Sequence, residues 1–212
     1  YFLSTNRQNE PMMQGDLIKF ARADFDQDGL GDLLAQLEAL RAKLRAEGVI
    51  DSSKARPLPF LPRKIGLITA QNSDAEKDVI KNVLERFPAA QFETAYVPVQ
   101  GDSCPPAVVE AIAKLDAIED VDVIIITRGG GAFLDLIGFS DERVVRAAAA
   151  AKTPIVSAIG HEADRPILDD VADYRASTPT DAAKNVVPDV AEESYRIDEV
   201  VSRIVQRIGH YV

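Results

Sequence analysis

The sequence contains little of what builds disulfide frameworks, zinc sites or membrane spans. Its 212 residues include one cysteine, Cys104, and two histidines, His161 and His210. A single cysteine excludes a disulfide within the chain and suits a reducing compartment, so we expect a cytoplasmic protein. Two histidines without a cysteine cluster do not provide the usual ligands of a zinc site. No apolar run approaches the roughly 20 residues of a membrane span, so no membrane association is predicted.

Basic residues are scarce relative to acidic ones. The chain has 24 Lys and Arg against 34 Asp and Glu, a formal net charge of −10. Because polyanions are normally bound through an excess of basic side chains, this composition disfavours nucleic acid as a ligand of the whole surface. Net charge says little about one local pocket, however. The chain starts with Tyr1 and has no basic segment leading into an apolar one, so we expect a fragment without a signal peptide.

Through the middle of the chain, apolar runs alternate with amphipathic ones. This alternation is typical of βαβ units, in which helices connect parallel strands. Ser73 and Glu76 have the spacing of a capping box, Pro105 opens the next helix, and a third helix is predicted over 140–151. The sequence therefore predicts an α/β fold with an open, mostly parallel sheet and helices on both faces. The predicted strands span residues 64–69, 92–99, 121–127 and 154–159.

Both ends of the chain carry helical patterns of a different kind. Leucines recur in steps of three and four from Leu30 to Leu44 and predict a leucine-rich helix. Apolar residues recur at heptad spacing from Val190 to Tyr211, which predicts the start of a coiled-coil helix. Residues 24–32 have the alternating carboxylates of a calcium loop, but the position that needs a bidentate acid is an alanine. An ordinary solvated turn is the alternative for this segment.

A glycine-rich segment follows the most apolar predicted strand. Arg128 precedes Gly129, Gly130 and Gly131, and glycines let a backbone approach a ligand closely and direct N–H groups toward it. The planar guanidinium of Arg128 suits two phosphate oxygens. The pattern therefore indicates an anion site. The alternative is a tight turn in which Arg128 pairs with a neighbouring acid such as Asp135.

The segment SAIGHEAD, residues 157–164, places a histidine just past the end of the last predicted strand. Open α/β sheets bind ligands at this carboxyl edge of the strands. An imidazole titrates near neutrality, so His161 is better suited to proton transfer than to metal binding without further ligands. Asp164 has an ordinary interpretation as a capping residue ahead of Pro166.

Many separately spaced motifs between residues 29 and 190 occur together, in one order. They are EGVID at 47–51, PLPFLPRKIGLIT at 57–69, RFP at 86–88, VQG at 99–101, RGGG at 128–131, PIVSAIGHEAD at 154–164, VADYRASTPTDAA at 171–183 and VVPD at 186–189. Together they resemble the large subunit of exodeoxyribonuclease VII. The number of motifs and their common order argue against coincidence.

The resemblance implies an enzyme that hydrolyses single-stranded DNA from both ends to short oligonucleotides, with DNA end trimming as its role. It also implies a complex in which one large subunit binds several copies of a small subunit. Residues 1–28 would be the remnant of an N-terminal OB-fold, 29–189 the α/β catalytic core, and 190–212 the start of the coiled coil that recruits the small subunits. Much of the DNA-binding surface would then lie in the OB-fold, which accounts for the acidic balance.

The resemblance also implies a set of site residues. The family's essential aspartate falls on Asp78, its arginine on Arg128, and its histidine and second aspartate on His161 and Asp164. For Asp78 this differs from a helical wheel, which places the residue on a solvated face opposite Ala75. Two interpretations of the cofactor stay open. Asp78 and Asp164 could share a Mg²⁺ ion, or Arg128 and His161 could act without a metal.

Roles follow from the chemistry of these groups. Arg128 and the amides of the three following glycines would hold the scissile phosphate and stabilise the charge that grows on it. His161 would be the general acid or base, and Asp164 or Asp78 would orient it or activate the attacking water.

Some positions depart from the family's pattern. The family usually has Ser, Glu and Trp where this chain has Ala132, Leu134 and Ile137, and often Thr and Glu where it has Ala163 and Lys184. The absence of the glutamate at Leu134 removes a metal or hydrogen-bond partner beside the glycine-rich loop. Two alternatives to an enzyme therefore stay open: an anion- or nucleotide-binding module, and a degenerate scaffold subunit without activity.

Overall fold

Five strands and seven helices are present within residues 27–130, 133–159 and 165–209, the part of the chain that the computed structural model describes; for residues 27–30, 133 and 209 it describes the backbone alone. The strands are β1 (Lys64–Thr69), β2 (Phe92–Tyr96), β3 (Val121–Arg128), β4 (Ile155–Ile159) and β5 (Tyr174–Arg175). The helices are α1 (Gln27–Ala46), α2 (Asp74–Arg86), α3 (Cys104–Asp116), α4 (Phe133–Leu136), α5 (Glu142–Ala150), α6 (Pro179–Val186) and α7 (Val190–Gly209). Short 3-10 helices span Ser52–Lys54, Ile137–Ser140 and Ile167–Asp170.

The described strands form one parallel sheet in the order β2-β1-β3-β4-β5. This confirms the predicted α/β fold, and four of the strands lie where the sequence predicts them. β5 was not predicted because two residues are too few to show a period. From β1 the chain first crosses to one side of the sheet, to β2, and then to the other side, to β3. Open α/β sheets bind ligands at such a switch point, beyond the carboxyl ends of the strands.

The central strand β3 is buried on both faces, which explains its unbroken apolar run. Val123 and Ile125 pack in the cluster that includes α2 and α6, whereas Ile124 and Ile126 pack with α3 and α5. The helices therefore cover both faces of the sheet, as predicted. Gly66 allows α3 to lie close to β1, because a Cβ at this position would be 3.1 Å from Leu115 Cδ1.

Helix α1 packs onto one end of this core through its leucines. Four of them are buried in a cluster with residues of α5 and two 3-10 helices: Leu33, Leu37, Leu40 and Leu44. Arg41 adds an ion pair, since its Nε lies 2.8 Å from Asp170 Oδ2. The helix begins at Gln27 and runs through Gly29 and Gly31. These glycines therefore do not form the turn that a calcium loop requires, and residues 24–26 lie outside the described part of the chain.

Helix α7 presents apolar side chains to solvent. Ile197, Val201, Ile204 and Ile208 are each between 51% and 62% exposed and follow one another in steps of three and four. A helix was predicted here, but Tyr211 lies outside the described residues, and a coiled-coil partner stays a prediction. None of the described helices is long and apolar enough to span a bilayer.

Candidate active site

The segments after β1 and β3 meet at the switch point of the sheet. Ile68 pairs with Ile126 and Arg128 pairs with Ile159, so β1, β3 and β4 end side by side. A cavity of about 140 Å³ opens at this edge. It is lined by Ala75, Asp78, Arg128, Gly129, Gly130, Ala158, Ser177, Thr178 and Pro179. Asp78, which the family resemblance implied, and the RGG segment, which its own pattern indicated, therefore border one space.

Asp78 reaches this cavity from the second turn of α2. Ser73 caps the helix, and its Oγ accepts a hydrogen bond from Glu76 N at 3.1 Å. Asp78 is exposed, as the helical wheel predicts, but it lines the cavity together with Ala75. The expectation that the two residues lie opposite each other was wrong, because residues three apart share a helix face. Within the described chain, no group donates a hydrogen bond to the Asp78 carboxylate, which leaves it available to a ligand.

Arg128 reaches the cavity from the other face of the sheet. Side chains alternate along a strand, so Arg128 lies on the same side as Ile124 and Ile126, toward α3. Its Nη2 is 3.1 Å from Asp135 Oδ2, and only 6% of the side chain is exposed. The ion pair between Arg128 and Asp135, which the sequence analysis gave as an alternative, is therefore confirmed. Nη1 is also buried and has no hydrogen-bond partner among the described residues.

The charge of Arg128 affects Cys104 at the start of α3. Burial raises the pKa of the Cys104 thiol to about 12, and the nearby Arg128 charge lowers it by a smaller amount. Asp135 is the contact partner of the guanidinium among the described residues. A buried arginine with one nitrogen paired and another without a described partner has capacity for one more anionic oxygen.

The glycines beside Arg128 leave the loop open. A Cβ added at Gly129 would meet no atom within 4 Å. Packing in the described structure therefore does not require glycine at this position. The role of the glycines in approaching a ligand stays a prediction.

The start of α6 lines the cavity but was not predicted as part of the site. Thr178 caps this helix by accepting a hydrogen bond from Asp181 N at 3.0 Å, and Pro179 follows at its first position. Asp181 in turn accepts hydrogen bonds from the backbone N–H and the hydroxyl of Ser177. The sequence STPTD has a capping pattern that predicts the helix start, but it carries no signal that α6 lies against β3 and β4.

A buried polar network ties β4 to the segment that follows it. Ser157 Oγ donates to Asp169 Oδ1 at 2.6 Å, and Arg175 Nε donates to Asp169 Oδ2 at 2.8 Å. Burial raises the pKa of Asp169, and the hydrogen bonds from Ser157 and Arg175 oppose this shift. The network joins the strand before residues 160–164 to the chain after them.

A larger cavity, of about 740 Å³, lies between the segment after α1 and residues 165–173. Its basic and acidic side chains balance: Arg45, Lys54, Arg56 and Arg165 against Asp51, Asp169, Asp170 and Asp173. Several of them already pair with each other, as Arg56 does with Asp173 at 2.6 Å. Its lining is therefore neutral overall and partly paired within itself.

Three of the predicted site residues, Gly131, His161 and Asp164, lie outside the described part of the chain. Their roles stay predictions. β4 ends beside Arg128, and the described chain resumes at Arg165. Over the described ranges, no group of three or more His, Cys, Asp or Glu side chains is arranged to hold a metal ion.

Comparison with known proteins gives the family. The family model for "Exonuclease VII, large subunit" matches residues 49–212. This chain belongs to the exonuclease VII large-subunit family. Proteins named exodeoxyribonuclease 7 large subunit from Leifsonia xyli, Tropheryma whipplei and Thermobifida fusca are 55%, 58% and 61% identical to it over 94%, 87% and 83% of its length. The chain spans less than half of these relatives, 46%, 45% and 43% of their lengths.

Two of the positions at which the sequence analysis noted a departure, Leu134 and Ile137, lie next to the cavity loop and pack against α1. Leu134 packs against the apolar cluster on α1, and Ile137 is 5% exposed within that cluster. Both side chains therefore extend the contact between the leucines of α1 and the segment after the RGGG loop. At position 134 this chain thus has an apolar contact with α1 in place of a carboxylate.

Proposed function

We propose that this chain is the catalytic core of a single-strand-specific exodeoxyribonuclease, which hydrolyses phosphodiester bonds from both DNA ends to short oligonucleotides. The observation that supports it best is the cavity at the switch point, where Asp78 from α2 and Arg128 with its glycines from β3 border one space. The cavity has a volume of about 140 Å³. A space of this size suits one phosphate group.

In the proposed mechanism, Arg128 and the amides of Gly129 to Gly131 hold the scissile phosphate. Nη2 of Arg128 stays with Asp135, which leaves Nη1 to donate to a phosphate oxygen. Charge that develops on the phosphate oxygens during hydrolysis is stabilised by donors that are already in place. His161 transfers the proton, and Asp164 or Asp78 orients it or activates the attacking water.

The role of a metal distinguishes two forms of this mechanism. Asp78 and Asp164 are the carboxylates that would hold Mg²⁺, an ion that binds few protein oxygens and keeps several waters. The exposed Asp78 carboxylate on the cavity fits such a role. In the other form, Arg128 and His161 provide the charge stabilisation and the proton transfer without a metal.

The complex and its location are part of the same proposal. The exposed apolar stripe of α7 supports a coiled coil that recruits several copies of a small subunit. Residues 1–28 then belong to an OB-fold that binds single strands, 29–189 form the core, and the complex acts on DNA in the cytoplasm.

The experiment uses the full-length large subunit with its small subunit and single strands labelled at either end, with and without excess chelator. We expect both labelled ends to be shortened, and Arg128→Ala and His161→Ala to lose more than about 100-fold in kcat/KM. Arg63→Ala is the matched control. Arg63 is exposed and pairs with Asp122 at 2.8 Å, at the amino ends of β1 and β3 and away from the cavity. Its kcat/KM should stay within about 2-fold of the wild type.

The chelator separates the two mechanisms. Hydrolysis that continues in chelator supports the metal-free form, whereas hydrolysis that stops on chelation supports the form in which Asp78 and Asp164 hold Mg²⁺. Normal hydrolysis by both Arg128→Ala and His161→Ala would overturn the assignment of the site. A wild-type complex that binds strands without cutting them under any condition would overturn the proposed function.

A further inference from the structure

One aromatic side chain lies exposed at the ligand-binding edge of the sheet. Tyr96 is the last residue of β2, pairs in register with Thr69 of β1, and is 51% exposed. Because β2 and β3 flank β1, Tyr96 lies two strand spacings, or about 10 Å, to the side of β3. It is therefore close to the cavity that holds Asp78 and Arg128, but it does not line it.

The position of Tyr96 is fixed by a buried carboxylate. Its hydroxyl donates to Glu76 Oε1 at 2.7 Å, and Glu76 is only 7% exposed. Glu76 Oε2 also accepts a hydrogen bond from Asn72 N at 2.6 Å, and Asn72 has a left-handed backbone with φ of 60°. The loop after β1, the first turn of α2 and the end of β2 are thereby joined. An exposed ring that is held in this way loses little conformational entropy when a ligand binds to it.

The surroundings of Tyr96 favour a neutral ligand group over an anionic one. The first two turns of α2 carry three carboxylates, on Asp74, Glu76 and Asp78. Lys77, the basic residue among them, pairs with Asp74 at 3.3 Å. The face of an unpaired base is neutral and stacks on aromatic rings, so it suits this position.

From this geometry we infer that Tyr96 is a base-stacking subsite for a single strand whose phosphate occupies the Asp78 and Arg128 cavity. The inference rests on the proposed function, and it adds a contact that requires an unpaired base. The roughly 10 Å between the backbones of β2 and β3 can be spanned by a few nucleotides of an unstacked single strand. The stacked base therefore lies a few nucleotides from the scissile phosphate. In a duplex, that base would be paired and its face covered by its neighbours.

Two substitutions of Tyr96 distinguish stacking of its ring on a base from a structural role of its hydrogen bond to Glu76. Tyr96→Leu removes the ring, whereas Tyr96→Phe keeps the ring and removes only the hydrogen bond to Glu76. In the full-length complex we expect Tyr96→Leu to raise KM and the Kd for a fluorescein-labelled oligo(dT) by about 5- to 100-fold, and Tyr96→Phe to raise them less. Phe60→Leu is the matched control, since Phe60 is 70% exposed just before β1, at the opposite edge of the sheet. Its KM should equal that of the wild type.

A scan with abasic sites tests the contact directly. Single abasic nucleotides are placed at successive positions from the strand end, and KM is measured for the wild type and for Tyr96→Leu. We expect one position, a few nucleotides from the end, to raise the wild-type KM and to have no effect in Tyr96→Leu, because both changes remove the same contact. Thermal unfolding of each variant shows whether the protein still folds. If Tyr96→Leu does not fold, the abasic scan of the wild type remains the test, and a profile without a sensitive position would overturn the subsite.

Two results would overturn the stacking subsite while leaving the proposed function intact. One is a Tyr96→Leu complex with the KM and the abasic profile of the wild type. The other is an equal rise in KM for Tyr96→Leu and Tyr96→Phe, which would assign the effect to the hydrogen bond with Glu76. A wild-type complex that does not shorten single strands would instead overturn the proposed function and this inference with it.

Discussion

Asp135 Oδ2 lies 3.1 Å from Nη2 of Arg128, whose side chain is only 6% exposed. The contact holds one nitrogen of a buried guanidinium beside a cavity that Arg128 also borders. Asp135 is thus a positioning residue for Arg128 in the proposed mechanism. In that mechanism, the same pairing orients the arginine for the phosphate.

Replacing Asp135 should therefore affect both stability and catalysis. Asp135→Ala leaves a buried charge without this partner, so we expect the free energy of unfolding to fall by about 1–3 kcal/mol. We also expect kcat to fall more than KM rises, because a misplaced guanidinium stabilises the transition state less. Urea unfolding and steady-state kinetics of the full complex measure the two effects.

The control for this ion pair is Asp74→Ala. Asp74 pairs with Lys77 at 3.3 Å, but both side chains are exposed, so its loss should change the free energy of unfolding by less than about 0.5 kcal/mol. If Asp135→Ala behaves like Asp74→Ala in both measurements, Asp135 does not position Arg128.

Two glycines should respond to alanine in opposite ways. At Gly66 a Cβ would lie 3.1 Å from Leu115 Cδ1 and 3.2 Å from Ile124 Cγ1, so Gly66→Ala should lower the free energy of unfolding by about 1–3 kcal/mol. At Gly129 a Cβ would meet nothing within 4 Å, and Gly129→Ala should change it by less than about 0.5 kcal/mol. If the loop binds phosphate, Gly129→Ala should nevertheless lower kcat/KM by about 10-fold or more, because the methyl group occupies the path of the ligand. Unchanged kinetics for Gly129→Ala would argue against a backbone contact with the substrate.

The buried network below β4 should contribute measurably to stability. Ser157→Ala removes the 2.6 Å hydrogen bond to Asp169, a residue that is 5% exposed, and leaves one carboxylate oxygen without this donor. We expect the free energy of unfolding to fall by about 1–3 kcal/mol in chemical denaturation. Ser53→Ala is the matched change, since Ser53 Oγ also bonds an aspartate, Asp51, at 2.6 Å but on the surface. Equal losses for the two variants would contradict the importance of burial.

Asp173 should make stability depend on acid pH. Burial alone would raise the pKa of Asp173, but hydrogen bonds from the Arg56 side chain and from the N–H groups of Arg56 and Ile155 hold it below its ordinary value. The ionised carboxylate therefore stabilises the folded state above its unfolded pKa of about 4, and this stabilisation is lost as the pH falls through the lower folded pKa. As the pH is lowered through this range, we expect the urea concentration at the unfolding midpoint to decrease for the wild type and to decrease less for Asp173→Asn. If the urea midpoints of the two proteins change with pH in the same way, Asp173 does not cause the acid dependence.

Sequence reasoning succeeded where local pattern and burial coincide. β3 was predicted because its residues are apolar on both faces, and α2 because Ser73 caps it and Val79 and Val83 follow at helical spacing. The leucine repeat predicted a helix, but the structure shows α1 packed on the core through those leucines. A heptad-like spacing indicates an apolar face and does not say what covers it.

The candidate site was only partly accessible to such reasoning. Asp78 was placed opposite Ala75, although residues three apart share a helix face. Its position across the cavity from Arg128 of β3 could not be predicted, because periodicity within α2 does not contain that contact. Ser177 and Thr178 were missed for the same reason, since their local sequence explains a helix cap and nothing more. The RGGG motif, by contrast, could be found from the sequence. Three glycines directly after a buried strand indicate a loop whose backbone can adopt conformations that other residues avoid.

The state of Cys104 has a practical consequence for spectroscopy. It is the one cysteine in the sequence, it is buried, and burial raises the pKa of its thiol to about 12. Maleimides and disulfide reagents attack the thiolate, so this residue should remain unlabelled at neutral pH in the folded protein. A cysteine introduced at an exposed position, such as Ile204 on α7, would then accept a fluorophore or spin label selectively. The distance from a label on α7 to a label on the end of a DNA single strand could then be measured without first replacing Cys104.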